Sequence, residues 1–105
     1  MNEIPVKQHH KMKERHPQLL VAVDALGVAV ANAGPLSEKI RQLVQLAAAA
    51  AIRSEGAVHS HARRAVEAGA SAEEIRHAIL LSTSTIGFPT VMAAMTWADD
   101  VLEVS

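Results

Sequence analysis

Seven consecutive apolar residues, Leu46-Ala-Ala-Ala-Ala-Ala-Ile52, constrain this chain more than any other stretch. Alanine is the strongest helix former, and no segment of the chain alternates with the period of two that a half-buried strand requires. The run is therefore helical. Being apolar on every side, it is expected to be a central helix covered all round. Its small side chains let neighbouring backbones approach closely. Half of the 105 residues are hydrophobic, but there is one Trp, one Phe and no Tyr. Small side chains bury little area each, so a lone chain of this length would have a thin core. Close helix packing and burial against copies of the same chain are both expected.

Turn and capping signals divide the rest. Residues 5–16 are polar and form a lead-in, helical or extended. Pro17 opens a first helix with Leu19, Leu20, Val23, Leu26, Gly27 and Val30 on its stripe. Asn32-Ala-Gly34-Pro35 ends it, with a left-handed cap followed by a breaker. Ser37 caps a long helix reaching about Arg53, whose buried stripe is expected to be Ile40, Leu43, Val44 and Ala47. A third helix ends at Gly69. Ser71 and Glu74 form a capping box for a fourth, which passes through Ile75, Ala78 and Ile79 and frays over 82–85. Gly87-Phe-Pro89 turns into a last helix through Val91, Ala94, Met95, Ala98 and Val101. The expected fold is an all-α bundle of about five helices. Residues 1–16 are the lead-in and 17–105 the single domain.

Several function classes fall away. The formal net charge is −1 with charges interspersed, so no basic field exists to hold nucleic acid. The run Lys7 to His16 is the nearest approach, and it contains Glu14 and no aromatic for base stacking. There is no cysteine, which removes disulfides, thiolate nucleophiles and cysteine metal sites. The opening MNEIPVKQHH lacks the apolar core of a signal peptide, and no apolar run approaches the roughly twenty residues that span a bilayer. A cytoplasmic protein with no membrane partner is expected.

The chemistry-bearing stretch is Ser54 to Gly69. Helical spacing puts Val58, His61, Ala62, Ala65, Val66 and Gly69 on one stripe, with His59, Arg63 and Glu67 on another face. His61 is thus expected to point into the apolar interior. A titratable ring there must be hydrogen-bonded, ligated or catalytic. His59 and His61 stand roughly 200° apart around a helix and cannot share an ion. His9, His10 and His16 could catch a metal only adventitiously, so neither a physiological metal nor a cofactor is expected. Ser54 and Ser60 sit on no strand-to-helix elbow, which argues against a serine triad. Two readings remain for His61: a general acid–base, or a structural histidine bonded to a carbonyl or a glutamine. Gln42, Gln45, Ser54, Thr83 and Thr85 are the candidate partners. Trp97 is either core or a subunit anchor.

Three stretches carry a resemblance. Gly34-Pro-Leu-Ser-Glu-Lys-Ile-Arg-Gln-Leu43 with the alanine run, His61-Ala-Arg-Arg-Ala-Val-Glu-Ala-Gly-Ala-Ser-Ala-Glu-Glu-Ile75, and Gly87-Phe-Pro-Thr-Val-Met-Ala-Ala94 together resemble the carboxymuconolactone decarboxylase family, which includes the AhpD-like alkylhydroperoxidases. The resemblance implies an AhpD-like all-α fold assembling as a homo-trimer or homo-hexamer. It also implies a C-x-x-C pair followed four residues later by a histidine, with an acid on the preceding helix. Those positions fall on Ser54, Ala57, His61 and Gln42, so the histidine alone is retained. Without thiols, alkylhydroperoxidase or peroxiredoxin-like activity is disfavoured. The decarboxylase branch also lacks the cysteines and keeps the histidine. It implies acid–base chemistry by His61 on a small organic acid or lactone, with Gln42 as orienter. The alternative is a catalytically silent binding or scaffold oligomer.

Overall fold

The computed structural model describes residues 3–103, with side-chain environments from residue 7 onward. Every element among them is helical: α1 (Glu3–Arg15), α2 (Pro17–Ala31), α3 (Glu38–Ala51), α4 (Glu55–Glu67), α5 (Ala72–Leu80), α6 (Thr83–Ile86) and α7 (Phe88–Leu102). Two segments go beyond the expected five: the lead-in is itself helical, and residues 83–86 close one short turn instead of fraying. Among the described residues no helix is long and apolar enough to cross a membrane. The chain divides into two compact units, residues 1–36 and 37–105.

In the first unit α1 packs against α2. Pro17 occupies the first turn of α2, where its missing N–H costs nothing. Only Leu20 is buried on α2, while Leu19, Val21, Val23, Leu26, Val28 and Val30 are all exposed. Asn32 caps its end with φ −89°, so the expected left-handed residue is absent.

The second unit holds the main core. α3 packs on α4, α4 on α7, and α5 on both α3 and α7. Leu46, Ala49, Ala50, Val58, Ala62, Ala65, Ile75, Ile79, Val91, Ala94 and Ala98 form one buried cluster, with Trp97 and Met95 packed against it. Six of these eleven are alanine, so the thin core inferred from composition is real, and the helices fill it by close approach.

Two sequence-based stripes move. On α3 the fully buried residues are Leu46, Ala49 and Ala50. Ile40, Leu43, Val44 and Ala47, expected to be core, line a groove with Ala48, Ala51 and residues of α5 and α6, although Leu43 also packs against the buried cluster. The alanine run is therefore not covered on every side within one chain. The helix also stops at Ala51. Ile52 is its C-cap, and Arg53 takes φ 58°, a left-handed conformation that non-glycine residues rarely adopt. The amide of Ser54 closes that turn on the Ala49 carbonyl at 3.1 Å.

The remaining punctuation holds. Gly69 has φ +97° past the end of α4, and the Ala70 amide reaches the Ala65 carbonyl at 2.9 Å. Both bonds of the capping box are present: the Glu74 amide donates to Ser71 Oγ at 3.0 Å, and the Ser71 amide donates to Glu74 Oε1 at 2.9 Å. Lys39 adds an ion pair to Glu74 at 3.1 Å. These contacts hold the Glu74 carboxyl below its ordinary range, the Ser71 amide being the largest cause.

Candidate active site

The α3–α4 hairpin positions the site. Ser54 is the N-cap of α4, and its Oγ accepts from the Ala57 amide at 3.3 Å. The two positions that correspond to the cysteine pair of the resemblance are thus joined by a helix cap. A hydroxyl and a methyl offer no thiol chemistry.

One turn further on, Nδ1–H of His61 donates to Oε1 of Gln42 on α3 at 2.8 Å. Gln42 and His61, both half-buried, are therefore brought together. Donation from Nδ1–H fixes the tautomer and leaves Nε2 as the lone-pair nitrogen. Burial pushes the His61 pKa below its ordinary 6.5, and the nearby Arg64 guanidinium pushes it in the same direction. Gln42 accepts without adding a negative charge, so it orients the ring without raising its basicity. Gln45 and Thr85 are exposed, and Thr83 Oγ1 donates to the Leu80 carbonyl at 2.7 Å, so the partner from the candidate set is Gln42.

The histidine at the apolar interior is His59, not His61. Val58, His59, Ala62 and Ala65 are the buried residues of α4, while Val66 is 48% exposed. Centring the stripe on Val58, Ala62 and Ala65 brings His59, one residue past Val58, inside its edge. His59 is wholly buried and pairs through Nε2 with Asp100 Oδ2 on α7 at 2.9 Å. Its Nδ1 is buried without a partner among the described residues. Asp100 lies 41 residues away, and no local pattern announces such a pair.

Of Arg41, Arg53, Arg63 and Arg64, the cations nearest in sequence that could hold a substrate carboxylate, Arg64 lies close enough to act on His61. Arg53 Nη1 donates to Thr90 Oγ1 at 2.8 Å, and Nη1 of Arg63 is buried without a partner among the described residues. The α3–α5–α6 groove, about 610 Å³, is lined by neither His61 nor Gln42. His9 and His10 are exposed on α1, with ring centroids 6.3 Å apart.

Comparison with known proteins fits this architecture. The carboxymuconolactone decarboxylase family model matches residues 17–100. The chain belongs to that family. An uncharacterised protein of Methanocaldococcus jannaschii is 29% identical over 102 residues, covering 97% of this chain and 92% of that protein. One from Haemophilus influenzae is 38% identical over 59 residues, covering 56% of this chain and 52% of its own length. This chain thus matches about half of the Haemophilus protein. The apo crystal structure of a carboxymuconolactone decarboxylase family protein from Legionella pneumophila superposes with a TM-score of 0.84 at 24% identity, covering 97% of this chain and 90% of that one. That likeness establishes the fold.

Proposed function

We propose that this cysteine-free family member carries out acid–base chemistry on a small organic acid or lactone, with His61 as the proton-transfer group. The observation that carries the reading is the 2.8 Å bond from His61 to Gln42. It holds a neutral imidazole with its Nε2 lone pair free to act. A ring whose pKa is depressed is unprotonated near pH 7, so it serves first as base and second as acid. His61 Nε2 takes a proton from the carbon next to a lactone or ester carbonyl. The resulting imidazolium returns it at another carbon of the enolate. In a decarboxylating reaction, His61 Nε2 first takes a proton from solvent and then delivers it to the carbanion left by loss of carbon dioxide. Gln42 Oε1 supports the imidazolium by accepting its Nδ1–H. Arg64 is the cation assigned to a substrate carboxylate. Thiol-based peroxide reduction has no place in this scheme, since the chain has no cysteine.

The working form in this reading is a homo-oligomer, a trimer or hexamer. Six large apolar side chains stand exposed along α2, more than an isolated chain leaves to water on one helix. The α3 stripe that lines the groove fits the same need.

The test is the rate of proton exchange, isomerisation and decarboxylation of a panel of lactone-type acids, with wild type and His61→Ala. Loss of rate in the variant at unchanged fold supports the reading. Equal rates, or no turnover of any substrate by wild type, overturn it. The second result, with a lowered melting temperature in His61→Ala, would instead fit a catalytically silent scaffold.

A further inference from the structure

A second cluster of chemistry-bearing side chains lies apart from Gln42 and His61, where the N-terminal turn of α4 meets the C-terminal half of α7. Glu55, His59 and Asp100 each offer one ligand atom, and the three atoms all lie within 4.8 Å of one another. His59 and His61 are roughly 200° apart around α4, so this cluster belongs to the opposite side of the helix from the proposed base.

Protein chemistry alone does not complete this cluster. His59 is wholly buried, its Nε2 meets Asp100 Oδ2 at 2.9 Å, and its Nδ1 has no partner among the described residues. Glu55 and Asp100 are half-buried and converge on the ring, so two carboxylates face each other across a space no wider than 4.8 Å. Like charges at that separation repel, and partial burial strengthens the repulsion. One imidazole nitrogen with two carboxylate oxygens is a donor set suited to a first-row divalent cation, and its two negative charges match the charge of such an ion. The spacing of His59 and Asp100 suits it as well. Ligands about 2.1 Å from a common ion stand about 3.0–3.4 Å apart at octahedral or tetrahedral angles. The His59–Asp100 separation is already 2.9 Å.

We infer that Glu55, His59 and Asp100 form a binding site for a divalent transition cation, of the zinc or cobalt type, that clamps α4 to α7. The cation takes the lone pair of the ligating ring nitrogen, and the ring's single proton sits on the other nitrogen, so the imidazole stays neutral. Three protein ligands leave one or more coordination positions for water.

The experiment uses the full chain after treatment with a chelator, titrated with Co²⁺ and then Zn²⁺. Binding is read by calorimetry, by the visible absorption of bound Co²⁺ and by melting temperature. Glu55→Gln and Asp100→Asn keep shape and remove charge, and circular dichroism checks that they fold. His9→Gln/His10→Gln removes the exposed histidine pair on α1. One equivalent bound per chain, a raised melting temperature, affinity at least tenfold weaker in both carboxylate variants and unchanged affinity in the His9/His10 variant support the site. Absence of saturable binding overturns it, as does binding that survives both carboxylate variants or disappears with His9 and His10. A result in which His59 and Asp100 act only as a structural pair appears as a lowered melting temperature in Asp100→Asn with no response to metal in wild type, and also overturns it.

Discussion

Gln42 on α3 accepts a 2.8 Å hydrogen bond from Nδ1–H of His61 on α4, where the family resemblance places an acid. A neutral amide and a carboxylate can make the same bond, but only the carboxylate favours the charged ring. Gln42→Glu is therefore expected to raise the His61 pKa. NMR titration of the His61 ring signals checks this. Gln42→Leu should leave the fold intact and lower the rate of any His61-dependent reaction by about tenfold to a hundredfold, because the ring loses its fixed tautomer.

The same depressed pKa makes stability depend on pH with a definite sign. The folded chain holds fewer protons at His61 than the unfolded chain wherever pH lies near or below 6.5. Stability therefore rises with pH across that window. The contribution is fully present above pH 6.5 and is lost as pH falls through the lower folded value. Burial is the larger cause and Arg64 the smaller, so Arg64→Gln should move the His61 titration upward and narrow the window. Urea denaturation at a series of pH values, in wild type and Arg64→Gln, measures both effects.

Alanine at the α4–α7 contact is a packing requirement. Ala62 and Ala65 on α4, and Ala94 and Ala98 on α7, are completely buried. Ala94→Leu inserts three carbons where the core has no room, and should cost about 1–3 kcal/mol. Chemical denaturation gives the value. Ala48→Leu is the control, because Ala48 is exposed and lines the open groove. It should cost less than half as much in a monomer.

The exposed apolar face of α2 predicts association. Val21 and Val28 are 68% and 61% exposed. Val21→Glu/Val28→Glu should shift the chain to a smaller species in light scattering after size exclusion. Wild type and double variant of the same mass would overturn the expectation that α2 lies at a subunit contact.

Gly69 adopts φ +97° after α4, with open space around it. Gly69→Ala meets no steric clash, so its cost is backbone strain alone, about 1–2 kcal/mol. Comparing it by thermal denaturation with Gly34→Ala, where φ lies outside the left-handed region, separates strain from any general loss of chain flexibility.

The all-α class, the helix starts at Pro17, Ser37 and Ser71, the stop at Gly69 and the absence of thiol chemistry were all legible from sequence. Each depends on interactions within a few residues, such as the Ser71–Glu74 box, or on composition alone. Tertiary structure decided which face of each helix is covered. On α3 the stripe Ile40, Leu43, Val44 and Ala47 has the right period but lines a groove, because periodicity reports that a face is apolar and not which surface will cover it. On α4 the two histidines differ by two residues. Their fates depend on Asp100 and Gln42, side chains from α7 and α3 that meet them only in three dimensions. A long-range partner leaves no trace in local spacing, so His59, buried against Asp100, could be recognised only in the folded chain.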